Sequence, residues 1–278
     1  MNRLIAVIKN KFYFSIKYIE SFTLGVLYYN RFKKASIYCM FVGYPRSGHS
    51  LIGALLSAHK NVMIAHELDA LGYITKGFNK KQLFYLIYDK DREFTKSGCM
   101  ESGYSYYVPN QWQGKFEKLY VIGDKKGGVS SKMLFQDPYL LEKLKSKLNM
   151  PIKIIHVTRN PFDVISGINL WYPTPLIDSI SYFFSLCDAN KKIINSKKYD
   201  IVSIKYEDFA ISPDKYIKLL CDFINVECFD NYIVDCKKLV RDTRNKNRNK
   251  IEWPNQLKQI VLNKIEEYDF LKGYSFDN

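Results

Sequence analysis

The stretch Phe41-Val42-Gly43-Tyr44-Pro45-Arg46-Ser47-Gly48-His49-Ser50 decides how this chain is read. It closes an apolar run, Ser36 to Val42, and opens a segment with Leu51, Ala54, Leu55 and Ala58 at helical spacing. A strand over Ser36–Val42, a turn at Gly43 and a helix from about Ser50 to Ala58 follow. Gly43 and Gly48 have the spacing of a phosphate loop, GxxxxGK[ST], with Ser50 at the hydroxyl position. Such a loop points backbone N–H groups at one spot by a helix N-terminus, where the dipole favours an anion. His49, however, stands where a nucleoside-triphosphate loop needs Lys to reach the terminal phosphates. That weighs against an ATPase or kinase.

Outward from this loop, short β-type runs alternate with longer helical patterns. Strands are expected at Val62–Ala65, Leu119–Ile122, Pro151–Thr158 and Ile201–Lys205. Helices are expected from Pro161 to Trp171, Leu176 to Asn195, Pro213 to Ile224 and Pro254 to Tyr268. The pattern is α/β: a P-loop-type, doubly wound and mostly parallel sheet with helices on both faces. One domain spans 1–278. Within it, 1–35 reads as a helical N-terminal extension. Residues 68–118, polar and aromatic from Tyr73 to Lys118, read as a helical or loop insertion over the sheet's edge.

A second anchor lies about a hundred residues on, at Ile154-Ile-His-Val-Thr-Arg159-Asn-Pro-Phe-Asp163. Arg159 at a strand's carboxyl edge suits a bidentate phosphate contact. Together the two stretches resemble the sulfotransferases that use 3′-phosphoadenosine-5′-phosphosulfate (PAPS). Tyr44–Gly48 is similar to that family's 5′-phosphosulfate loop, and Arg159-Asn-Pro-Phe-Asp163 to the RNPxD motif that grips the 3′-phosphate. The resemblance implies that Arg46 clamps the sulfonate and 5′-phosphate, while Ser47, Gly48, His49 and Ser50 line the 5′-phosphate. His49 replaces the family's usual Thr, though its backbone N–H can still serve. The family's Ser eight residues beyond the Arg falls on Gly167 here. Ser166, one residue earlier and turned by about 100°, is the carry-over.

The catalytic candidates come from the same likeness. Leu55 to Glu67 looks like a stretch of the tyrosylprotein sulfotransferases, and Glu67 falls on their catalytic base. His66 competes for that role, because other branches use histidine; a helix cap and a buried strand residue are the structural alternatives. His59 and His156 read as structural. Val121-Ile-Gly-Asp-Lys125-Lys126 resembles a strand-terminal motif whose Lys lies near the bridging oxygen, so Lys125 is the electrophile and Lys126 its alternative. Ser203–Asp208 resembles a segment whose Tyr packs at the adenine, which implies Tyr206. Arg241 to Lys250 is a basic, Asn-rich loop. Its part from Arg244 to Lys250, before Trp253, is similar in placement to the family's C-terminal loop around the 3′-phosphate, with Arg248 the candidate and its register open.

The implied reaction moves a sulfuryl group from PAPS to a hydroxyl or amine, leaving PAP, with no metal required. A saccharide or glycolipid acceptor comes first, since Trp112, Trp171, Tyr104, Tyr106 and Tyr107 could stack on sugars. Protein tyrosine is second. A P-loop kinase and a non-catalytic nucleic-acid module are the competing classes. The second is disfavoured because the basic residues are spread and lack a reading motif.

Composition sets the frame around these motifs. The formal charge is +14, which suits anionic partners. The six cysteines form no CxxC pair and the four histidines no metal spacing. Free thiols in a reduced compartment follow, and a cytoplasmic location is expected. In the first 34 residues Lys9, Lys11, Lys17 and Glu20 interrupt the apolar stretches. No run reaches the ~18 to 20 residues of a membrane span. A basic, aromatic helix packed on the domain is expected, with peripheral membrane contact as the alternative.

Overall fold

Five strands form one parallel sheet in the computed structural model, which describes residues 2–240 and 246–278, with side chains from residue 12 onward. A long helix, α1 (Asn2–Phe32), precedes β1 (Ile37–Gly43), α2 (His49–Ser57) and β2 (Val62–His66). Then come α3 (Ala70–Thr75), α4 (Lys80–Lys96), the two-residue strands β3 (Met100–Glu101) and β4 (Tyr104–Ser105), and β5 (Val121–Lys125). The chain continues through α5 (Gly127–Gln136), α6 (Leu140–Leu148), β6 (Ile152–Thr158), α7 (Pro161–Trp171), α8 (Leu176–Ser196) and β7 (Asp200–Lys205). It ends with α9 (Tyr206–Ile211), α10 (Pro213–Phe223), α11 (Asp230–Lys237) and α12 (Asn255–Ile265).

The strand order is β2-β5-β1-β6-β7, all parallel. Every residue of β1 is buried, because a parallel sheet is covered on both faces. Alternation then divides its side chains. Tyr38, Met40 and Val42 pack with α4 and α6, whereas Ile37, Cys39 and Phe41 pack with α2 and α10. From β1 the chain builds out to β2, fills in β5, and crosses to β6 on the other side of β1. The order therefore reverses beside β1, and the crevice at such a reversal is where open α/β sheets bind ligands. The loop after β1 and Arg159 after β6 both open onto it.

Three expectations change. The strand placed at Leu119–Ile122 runs instead over Val121–Lys125. Asn61 carbonyl takes the N–H groups of Tyr120 and Val121 before the ladder begins, and Gly123-Asp124-Lys125 are central-strand residues despite their polarity. Only glycine fits at 123, where a Cβ would lie 1.9 Å from the Cys39 carbonyl oxygen. Next, much of 68–118 is core. Leu83, Phe84 and Ile87 of α4 are buried against the sheet, and only the part after Lys96 is loop and hairpin. Finally, α5, α6, α9 and α11 have no counterpart in the sequence pattern. The Gly127-Gly128 start of α5 is a poor helix signal, overridden here by packing against β1 and α8.

The N-terminal extension is docked. Asn79 and Gln82 form a capping box at the start of α4, and Gln82 Nε2 also donates to the Tyr18 carbonyl (3.0 Å) and to Ser21 Oγ (3.3 Å). Outward, α1 leaves Phe12, Ile16, Ile19, Phe22, Val26 and Leu27 exposed. Among the described residues no helix is long and apolar enough to cross a membrane. Of the basic stretch 241–250, residues 241–245 lie outside the described residues; Asn247–Lys250 form a 3-10 turn against α7.

Candidate active site

Gly48, at φ 92°, starts α2, and no side chain caps that helix end. Its first N–H groups are thus left to an anion. Arg46 takes a left-handed conformation in the loop, φ 66°, with its guanidinium 5.6 Å over the Trp171 ring. The β1–β6 pairing brings the second anchor alongside. Arg159 Nη1 donates to the Arg46 carbonyl oxygen at 3.1 Å, and its guanidinium lies 5.3 Å over the Tyr206 ring. That ring in turn covers the loop: a Cβ at Gly48 would sit 2.2 Å from it. Glu207 accepts from the Asn160 N–H at 2.9 Å and ties the Tyr206 segment to the Arg159 turn.

The second half of the site is built by β2 and β5, whose register sets His66 opposite Lys125. Lys125 is fully buried, and its Nζ donates to Ser50 Oγ at 2.9 Å and Glu67 Oε1 at 2.8 Å. Lys126 Nζ donates to Glu67 Oε2 at 2.9 Å. Glu67 reaches both because it leaves the strand at φ 63°, its N–H still held by the Lys125 carbonyl at 3.0 Å. Asp124 secures that turn by accepting from the Leu68 and Ala70 N–H groups at 3.0 and 2.8 Å. A non-glycine residue in this region costs about 1 to 3 kcal/mol and persists only where its surroundings hold it.

Burial and charge set the protonation states. Burial alone would raise the Glu67 pKa, but Lys125 and Lys126 together outweigh it and bring it down to about 2. Burial lowers Lys125, and Glu67 and Glu101 oppose that fall. His49 is buried with Nδ1 3.1 Å from Ser47 Oγ; burial, then the Lys125 charge, holds it neutral at about 3. Its side chain is thus part of the loop's scaffold. In such a pair beside a phosphate loop, the buried ammonium can neutralise one oxygen while the ionised carboxylate accepts a proton from another.

The sequence missed Glu101. It comes from β3 and places Oε2 2.8 Å from His66 Nε2, while Phe94 stacks on the imidazole at 3.9 Å and 6°. Thirty-odd residues and a short hairpin separate Glu101 from His66, and no spacing motif links them.

Other candidates lie elsewhere. Ser166 is buried and accepts from Trp253 Nε1 at 3.0 Å, within the packing of α7. Gly167 is the residue facing Arg46 and Asn247, whose side-chain atoms would lie 3.1 to 3.3 Å from a Cβ there. Arg248 is buried as well. Its Nη1 donates to the Ser275 and Phe276 carbonyls at 3.1 and 2.8 Å, and its backbone N–H donates to Asp163 at 3.1 Å. Nε approaches Asp163 Oδ1 at 3.3 Å without hydrogen-bonding. Both residues are therefore committed to internal packing. His59 bonds the Glu227 carbonyl and His156 lies in the core, as their structural reading implies. Of the aromatics, Trp171, Tyr104 and Tyr107 are exposed, and Tyr106 flanks His66 at 5.9 Å. Trp112 stands apart; its N–H binds the Ala58 carbonyl at the far end of α2 from the phosphate loop.

No family model and no curated protein matches the chain. Solved structures do. The sulfotransferase domain of the Synechococcus PCC 7002 olefin synthase is 17% identical with a TM-score of 0.54, over 85% of this chain and 96% of that one. A sulfotransferase from Mycobacterium avium is 10% identical with a TM-score of 0.50, over 85% of this chain and 77% of that one. The chain has the sulfotransferase fold.

Proposed function

We propose that this protein is an enzyme that transfers a sulfuryl group from PAPS to an acceptor hydroxyl or amine. The observation that carries the reading is Lys125, a buried ammonium held between Ser50 of the phosphate loop and Glu67. The uncapped start of α2 and the two guanidiniums of Arg46 and Arg159 fit a ligand with phosphate at both ends. PAPS, when bound, supplies the sulfuryl group and a leaving phosphate. Arg46 and the backbone of Ser47 to Ser50 hold the phosphosulfate end, Arg159 the 3′-phosphate, and Tyr206 packs on the nucleoside. Lys125 neutralises the charge that develops on the leaving oxygen. Glu67 Oε accepts the acceptor's proton. Anionic oxygens near Lys125 and Lys126 loosen their hold on Glu67, so its basicity rises when it is needed.

Two measurements test the donor. PAP should raise the melting temperature without added Mg²⁺, and ATP should do so far less. Equal, Mg²⁺-dependent stabilisation by ATP would favour a kinase instead. Arg159→Ala should weaken PAP binding by ~1.5 to 3 kcal/mol, the loss of a charge-assisted contact, with a smaller fall in turnover at saturating PAPS. Unchanged PAP affinity by calorimetry would remove Arg159 from the 3′-phosphate.

For the acceptor, a saccharide or glycolipid is favoured by the exposed rings of Trp171, Tyr104 and Tyr107, of which Trp171 borders Arg46. Protein tyrosine is the alternative prompted by Glu67. Labelled sulfate offered with glycans, glycolipids and tyrosine peptides decides between them. Peripheral contact with an anionic membrane fits the exposed apolar face of α1, which ends at the exposed Lys33 and Lys34, and the net charge of +14. The protein should co-sediment with phosphatidylserine vesicles, and Ile16→Glu with Ile19→Glu should release it. Sedimentation unaffected by that pair would mean α1 is not the contact.

A further inference from the structure

Lys125 Nζ carries three N–H donors. Ser50 Oγ and Glu67 Oε1 take two, at 2.9 and 2.8 Å, and the third side of the ammonium looks at His66 Nε2, 3.3 Å away. What happens there depends on the imidazole. A bare Nε2 would accept the third donor, and the ammonium would be wholly committed within the protein. An Nε2 that carries hydrogen cannot accept it.

Glu101 decides between these states. Its Oε2 lies 2.8 Å from the same Nε2. A carboxylate only accepts hydrogen bonds, so at this distance Nε2 must carry the hydrogen. The His66 hydrogen bond outweighs burial and keeps Glu101 ionised, its pKa down at about 2. Burial pushes His66 below its ordinary value, so the ring is neutral with one N–H. Nor can the ring turn aside, with Phe94 stacked on it at 3.9 Å and Tyr106 alongside.

We infer that Glu101 is a positioning residue: it fixes His66 as the Nε2–H tautomer and so leaves one Lys125 N–H free for the oxygen on which charge develops. The hydrogen on Nε2 stands on the 2.8 Å contact with Glu101 and on the ring's burial; the use of the free donor rests on the proposed sulfuryl transfer.

The test is nitrogen NMR of the full chain labelled with ¹⁵N-histidine, with His66→Phe to assign the signals. At neutral pH, His66 Nε2 should be protonated and Nδ1 bare, and Glu101→Leu should move the hydrogen to Nδ1. A bare Nε2 in the unmodified protein overturns the inference, whether or not PAPS is turned over. The kinetic arm uses a double-mutant cycle. Glu101→Leu should lower kcat about tenfold, less than the ~10² to 10³ of losing such a donor outright, with PAP affinity kept. In the His66→Phe background, where no ring nitrogen can accept, Glu101→Leu should change kcat less than twofold. An undiminished loss in that background overturns the coupling through His66. A protein that neither binds PAP nor transfers sulfate would fail the proposed function and leave the NMR result to be judged separately.

Discussion

Lys125→Met should lower kcat by ~10² to 10³, the scale of removing a preorganised charge from a developing oxyanion, while PAP still binds within a few-fold. Methionine keeps the apolar stem, which matters because Lys125 is fully buried and its Cγ packs against Gly53. Only the ammonium is lost. Glu67 then retains Lys126 alone, so its pKa should rise from about 2. The fold should hold, since Glu67 is one-third exposed (33%) and keeps a partner at 2.9 Å. Steady-state kinetics beside PAP calorimetry separate the cases. A turnover within threefold of the unmodified enzyme would remove Lys125 from the chemistry.

Glu67→Gln preserves size and hydrogen-bonding shape but cannot take up a proton. It should lower kcat by ~10² or more, the scale of general-base loss, with PAP affinity nearly intact. His66→Ala should cost less. The reverse ranking would hand the base role to His66. The pH dependence has a definite sign. A carboxylate whose pKa falls on folding stabilises the fold above its unfolded value, about 4.3. That stabilisation is lost as pH drops through the folded value of about 2. Denaturation between pH 5 and pH 2 should therefore be less pH-sensitive in Glu67→Gln. Equal acid sensitivity would mean that the two lysines do not hold Glu67 in solution.

The phosphate loop, the Arg159 turn and the strands that carry them were legible because each is a contiguous stretch with one dominant period or spacing. Glu67 and Lys125 were singled out by the resemblance of the stretches that carry them to sulfotransferase motifs, not by a period of their own. What could not be read was their embrace, because burial of a lysine depends on which strand lies next to which. In a chain this rich in lysine, Lys125 looks solvated until β5 is seen between β1 and β2. Glu101 was hidden more deeply, in a hairpin whose strands are two residues long and leave no periodic trace. Ser166 and Arg248 show the converse. Both have suitable side chains near suitable motifs, and rotation about α7 and the pull of the C-terminal segment turned them inward.

The register of β2 against β5 has a consequence for how such a scaffold can change. His66 and Lys125 are partners on neighbouring strands, so the hydrogen-bonded ladder fixes their separation. Lengthening or rewriting the hairpin at 100–105 leaves that ladder untouched, apart from the one carboxylate that Glu101 contributes from it. On the proposed function, the reactive centre and an acceptor surface built from this exposed hairpin would be separable inheritances: new acceptors could be sampled by drift in the hairpin, provided that a carboxylate returns to the imidazole.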